Sequence, residues 1–161
     1  MKIGVIIVFH NNEANINAEE LAFQINRAHH LKICLVNNYS KDNTKQLLYD
    51  VKEKCTSDVT ILNTNKFKSD MSALRIGATY MIDTLNFSCV GYISAIFLNT
   101  KYRSLSHLIW SVNKNREYVL RFHEEAKVHE RANASLVDRL FSVVQCLEQK
   151  KARPRFLSIQ Y

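Results

Sequence analysis

The segment Ile3-Gly4-Val5-Ile6-Ile7-Val8-Phe9 is an unbroken apolar run, rich in β-branched residues. A strand with one wet face alternates polar and apolar side chains, and this one carries no polar side chain. Both of its faces must therefore be covered, which is the pattern of a central strand in a parallel sheet clothed by helices. The run is far too short to cross a bilayer. It passes directly into His10-Asn11-Asn12-Glu13 with no small-residue cleavage site, so it does not read as a leader.

The elements that follow alternate. Ala18, Leu21, Ala22, Ile25 and Ala28 keep helical spacing, and Lys32–Val36 reads as a second strand. Thr44, Leu47, Leu48 and Val51 mark a second helix, with Ser40 or Asp42 able to cap it. Val59–Leu62 is a short third strand. Met71, Leu74, Ala78, Met81 and Leu85 give a third helix, capped by Ser69. Cys89–Phe97 reads as a fourth strand, and Leu105, Leu108, Ile109 and Val112 as a short helix. The pattern then predicts a strand over Glu117–Phe122 and a long helix through Leu136, Val137, Leu140, Phe141, Val144 and Leu147, with a last strand at Arg155–Ile159.

This order predicts an α/β three-layer sandwich around a largely parallel sheet with right-handed crossovers. At 161 residues the chain fits one domain, 1–161, and buries a core without staples. In such sheets ligands gather outside the carboxyl ends of the strands. Those ends carry His10-Asn11-Asn12-Glu13, Asn37-Asn38-Tyr39-Ser40 and Asn63-Thr64-Asn65. Asn11, Glu13, Asn38 and Ser40 are accordingly expected around one cleft. Turn-forming and helix-capping roles explain the same residues equally well.

The net charge of +7 and pI near 9.3 favour an anionic partner, namely a nucleotide diphosphate, a nucleic acid or an acidic membrane surface. The basic residues form no stripe, which argues against a specific nucleic-acid site. The run Lys150-Lys151-Ala152-Arg153-Pro154-Arg155 is the exception, and it suits an acidic lipid surface. Four cysteines lie far apart with no Cys-x-x-Cys pair, which reads as reduced structural thiols and a cytoplasmic setting, with peripheral membrane contact left open. Three glycines cannot build a G-x-G-x-x-G or Walker loop after the first strand. There is no H-E-x-x-H, G-x-S-x-G or paired-cysteine zinc signature.

Taken in register, the loops show a different pattern. Val5-Ile6-Ile7-Val8-Phe9-His10-Asn11-Asn12-Glu13 resembles the V-I-I-P-x-Y-N-N-E opening of family-2 glycosyltransferases with the A-type nucleotide-sugar fold. Leu35-Val36-Asn37-Asn38-Tyr39-Ser40-Lys41-Asp42-Asn43-Thr44 is similar to their V-D-D-G-S-x-D-N-T. Ser69-Asp70-Met71-Ser72-Ala73-Leu74-Arg75-Ile76-Gly77 is similar to their G-K-x-x-A-L-N-x-G. The likeness spans roughly residues 3 to 97 and implies a nucleotide-binding half (1–100) followed by a truncated second half (101–161).

The resemblance implies a nucleotide site of His10, Asn11, Glu13, Asn37, Asn38, Ser40 and Arg75. His10 stands where the family has an aromatic residue beside the base. Asn38 falls on the second Asp of the Asp-Asp pair, which meets the imide edge of uracil; an amide both accepts and donates there. Asp70 replaces the family's lysine, and Lys66 or Lys68 is the substitute source of positive charge.

The sequence departs from the family at the end of the fourth strand. Family members carry an Asp-x-Asp or Asp-Asp pair that holds Mg²⁺ or Mn²⁺ against the diphosphate. Here Phe97, Leu98 and Asn99 stand in that place, so no metal ligand is assigned. His123, Glu124 and Glu125, following the strand expected at Glu117–Phe122, are the candidates for deprotonating an acceptor hydroxyl; for the two glutamates a helix-start role serves as well. The expectation is a glycosyltransferase that takes a nucleotide-sugar donor without metal help. The alternatives are a binding or scaffold protein that has kept the fold and lost the chemistry, paired with a protein partner, or an anion binder.

Overall fold

The computed structural model describes residues 1–94, 97 and 104–153. Five parallel strands form one sheet in the order β3-β2-β1-β4-β5. They are β1 (Ile3–Phe9), β2 (Leu31–Asn37), β3 (Val59–Asn63), β4 (Val90–Ile93) and β5 (Phe141–Ser142). The helices are α1 (Ala18–Arg27), α2 (Thr44–Lys54), α3 (Asp70–Ala78), α4 (Leu105–Lys114), α5 (Arg116–Lys127) and α6 (Val143–Ala152). A π-helical turn, Thr79–Thr84, extends α3. The expected α/β sandwich is the fold observed.

Every residue of β1 is buried, as its unbroken apolar run requires. Because side chains alternate across a strand, Ile3, Val5, Ile7 and Phe9 enter one core with Leu31, Ile33 and Leu35, under α1, α2, α4, α5 and α6. Ile6 and Val8 enter the other with Cys34 and Val36, under α3 and the π turn. Burial pushes the thiols of Cys34, Cys89 and Cys146 up to about 12, partly offset by Lys32 at Cys34 and by Lys127 at Cys89; all four cysteines are free thiols. Among the described residues no helix is long and apolar enough to cross a membrane.

The second half departs from the sequence expectation. Glu117–Phe122 is not a strand but lies in the first half of α5. Tyr118, Val119 and His123 are its buried residues, and that spacing is helical, so periodicity overrides the strand preference of Tyr and Val. The long helix expected from Leu136 is broken into a 3₁₀ turn (Val137–Arg139), the strand β5 and the helix α6. Ser142 causes the break at its last step, its Oγ accepting the Gln145 N–H at 3.2 Å as an N-cap. Phe141 completes the sheet edge against Gly91, where a Cβ would lie 2.7 Å from the Phe141 ring. The fourth strand is shorter than expected, and the strand expected at Arg155–Ile159 lies outside the described residues.

Candidate functional site

The strands β1, β2 and β3 end together. The register pairs Phe9 with Asn37 and Asn37 with Asn63, so the loops that follow emerge side by side at the carboxyl edge of the sheet. The Asn38 N–H donates to the Phe9 carbonyl at 2.8 Å, extending the ladder by one step. Beyond it, both chains turn through left-handed backbone at Asn11 (φ 51°) and Tyr39 (φ 53°). Asn tolerates that conformation; for a tyrosine it is strained.

Side chains then continue the pairing that the backbone leaves. The Asn11 N–H donates to Ser40 Oγ (3.0 Å), and the Lys41 N–H donates to Asn11 Oδ1 (2.8 Å). The Asn12 N–H donates to Thr44 Oγ1 (2.8 Å). The Glu13 N–H donates to Asp42 Oδ2 (3.2 Å), and the Asn43 N–H donates to Glu13 Oε2 (3.1 Å). The Thr44 N–H donates to Asp42 Oδ1 (2.9 Å), so Asp42 rather than Ser40 serves the start of α2. Partial burial raises the Asp42 pKa, but its hydrogen bonds from Thr44 and Glu13 outweigh this and hold the carboxyl below the usual range. Asn37 accepts the Ser40 N–H (3.3 Å) and donates to Asn63 Oδ1 (3.0 Å).

Asn38 is spent in the same way. It is fully buried, its Nδ2 donates to the Lys68 carbonyl at 2.8 Å, and its Oδ1 accepts the Lys68 N–H at 3.0 Å and the Thr64 hydroxyl at 3.4 Å. The amide therefore clamps the β3–α3 loop, and base reading by it requires that clamp to open. Its effect at the surface is indirect. His10 Nδ1 lies 2.7 Å from the Asn38 carbonyl, which only accepts, so Nδ1 carries the proton. Asn11 Nδ2 stands 3.4 Å from His10 Nε2.

The clamped loop carries Phe67, whose ring lies 4.6 Å from that of His10, centroid to centroid, and is 59% exposed. Lys66 flanks it on the exposed side, and Lys68 is half-buried. Phe67 was not singled out by sequence reasoning, although an aromatic residue between two lysines in a polar loop was a signal. Ser69 caps α3 as expected, accepting the Ser72 N–H at 3.2 Å. Arg75 is exposed further along α3, and no side-chain hydrogen bond joins it to the cluster.

The structure thus brings His10, Asn11, Glu13, Asn37, Asn38 and Ser40 together at one sheet edge. It does not bring His123, Glu124 and Glu125 there. They sit within α5, and His123 shares a depression with Phe87 and Ser88, which precede β4, at the amino edge of the sheet. The opposite placement follows from the correction above: the segment expected to be a strand leading to the site edge is a helix.

Among the described residues, no group of three or more His, Cys, Asp or Glu side chains is placed to hold a metal ion. Leu98 and Asn99 lie outside the described residues, and Phe97 is partly buried against the core. Without a carboxylate at these three positions, the residues present do not fit the family's divalent cation.

No protein-family model matches the chain, and no curated protein matches it in sequence. Among solved structures, S. aureus TarS 1-349 aligns with a TM-score of 0.47 and 14% identity, covering 73% of this chain and 33% of that one. TarS 1-349 in complex with UDP aligns with a TM-score of 0.44 and 16% identity over 58% of this chain and 27% of that one. The complex with UDP-GlcNAc aligns at 0.45 and 15% over 58% and 26%. The chain therefore spans about a third or less of the solved chains it resembles.

Proposed function

We propose that the carboxyl edge of β1 and β2 binds the nucleoside diphosphate part of a nucleotide sugar, in a divergent glycosyltransferase domain that works without a divalent metal. The observation that carries this reading is the His10–Phe67 ring pair, which stands at the tips of the strands whose loops resemble the family's donor motifs. A base stacks against these rings. Asn38 acts as a positioning residue, setting the His10 proton through its carbonyl and the Phe67 loop through its amide. Asn11, Glu13, Asn37 and Ser40 hold the two loops in register. Lys66, Lys68 and Arg75 supply the positive charge that offsets the leaving diphosphate, as a metal does elsewhere.

A second reading is a nucleotide-binding protein without transfer activity. Two observations favour it: Phe97, Leu98 and Asn99 bring no carboxylate, and the general-base candidates His123, Glu124 and Glu125 lie on α5, where His123 lines the depression at the other edge. Thermal denaturation with UDP and with UDP-GlcNAc, each with and without Mn²⁺, tests the common core of both readings. At a hundredfold excess over the dissociation constant, binding stabilises by about 2.7 kcal/mol. The expected result is a shift with either nucleotide that Mn²⁺ leaves unchanged. No shift with either nucleotide refutes both readings. Release of UDP from UDP-GlcNAc then separates transferase from binder.

A further inference from the structure

The amino edge of the sheet is also indented. A depression of about 620 Å³ opens between the end of α5, the loop that follows it and the start of β5. It continues into a second of about 390 Å³ beside Phe87 and Ser88. Leu140 and Phe141 form its apolar wall, and Lys127, Arg131 and Arg139 bring three cations.

Its two carboxylates are already engaged. Asp138 accepts both the N–H and the hydroxyl of Ser135, at 3.0 and 2.8 Å, and Glu130 pairs with Arg139 at 3.8 Å. Lys127 has a 3.8 Å contact with an exposed Glu124. The Arg131 carbonyl accepts the Ala134 N–H at 3.0 Å, and its charge helps hold the Asp138 carboxyl down, but among the described residues its guanidinium makes no hydrogen bond or close ion pair. At the floor, His123 is 4% exposed and its Nδ1 is buried without a hydrogen-bond partner. Buried side-chain polar atoms are seldom left so.

We infer that this depression binds a small organic anion, an oxyanion head group on an apolar body, separately from the nucleotide edge. Arg131 and Lys127 meet the head group, and Leu140, Phe141 and Phe87 hold the body. His123 offers a hydrogen bond rather than a charge. Burial, helped by Lys127, pushes its pKa down, so the ring is neutral at pH 7 and the anion is met by the flanking cations. The strands run parallel, and seven residues of β1 separate the two edges by roughly 20 Å, so both sites can be filled at once.

Titration of the whole chain with phenyl phosphate, followed by calorimetry and by ¹H–¹⁵N spectra, tests the inference. Saturable binding is expected, with shifts at residues 123–141, inorganic phosphate binding about tenfold or more weakly, and UDP failing to compete. Arg131→Ala is expected to weaken phenyl phosphate about tenfold, the loss of one charge-assisted contact, and to leave the melting temperature and UDP response unchanged. His123→Phe, which keeps the ring packing against Phe141, is expected to melt no lower than the wild type and also to bind phenyl phosphate more weakly. The inference is overturned by absence of saturable binding at millimolar concentrations, by equal affinity in Arg131→Ala, or by displacement of phenyl phosphate by UDP.

Discussion

The Asn38 side chain pairs with both backbone groups of Lys68, donating to its carbonyl at 2.8 Å and accepting from its N–H at 3.0 Å. An amide matches a peptide group in this way because it carries one donor side and one acceptor side; a carboxylate only accepts. At neutral pH, where an aspartate would be ionised, asparagine is thus the side chain of that size and shape that makes both bonds.

Asn38→Ala removes both, leaving buried groups of Lys68 unpaired at a cost of about 2 to 3 kcal/mol. Asn38→Asp places a carboxylate oxygen against the Lys68 carbonyl, which raises its folded pKa above the unfolded value of about 3.9. The protonated acid still donates, so the variant approaches wild-type stability below that unfolded value. It loses stability as pH rises through the raised folded pKa. Urea melts of both variants at pH 4 and pH 7 check this; an Asn38→Asp protein equally stable at both would mean that the clamp is not what the amide provides.

Gly77 brings α3 close to the sheet: a Cβ there would lie 2.6 Å from Ile6 Cγ2. Ile6 is fully buried and β-branched, so it has little room to give. Gly77→Ala gains about 1 kcal/mol of helix propensity against an overpacking cost of about 1 to 3. A net loss of stability is expected, with UDP response unaltered. A variant more stable than the wild type would show that α3 shifts freely on β1.

Acid should loosen the carboxyl edge of the sheet through Asp42. Its folded pKa is lowered, so the unfolded chain takes up protons first, and the stability Asp42 contributes is present above about pH 3.9 and lost as pH falls through the folded value. Asp58, held down by its hydrogen bond and ion pair with Lys32, and Asp138, held down by Ser135, act in the same direction. Asp42→Ala should be less stable than the wild type at pH 7 and show a shallower loss between pH 5 and pH 2. Because the carboxylate is largely solvated, a small effect is expected.

The first half of the fold was legible because its signals are local. The run Ile3–Phe9 needs cover on both faces, and Ser69 precedes a helical pattern; the structure contains both features. The second half was not, because its outcome depends on contacts distant in sequence. Phe141 becomes a strand only because Gly91 leaves room for its ring, and nothing within Leu136–Leu147 encodes that. The geometry of the candidate site was half legible. Strand-end asparagines gave its place, but which of their groups remain free depends on partners some thirty residues away, such as Lys68 for Asn38 and Ser40 for Asn11.

The ring pair offers the sharpest test of the proposed nucleotide site. Phe67 is largely exposed, so Phe67→Ala should change stability by no more than about 0.5 kcal/mol. If a base stacks there, the same change should weaken UDP by about 1 to 3 kcal/mol, roughly 5- to 150-fold in dissociation constant. His10→Phe separates stacking from anchoring. It keeps a ring beside Phe67 and loses the hydrogen bond to the Asn38 carbonyl, so it should cost about 1 kcal/mol of stability while retaining most of the UDP affinity. His10→Ala should lose both. Calorimetric titration of the three variants with UDP, alongside their urea melts, reads the two effects independently. UDP affinity that follows stability rather than ring content would assign His10 to the turn alone.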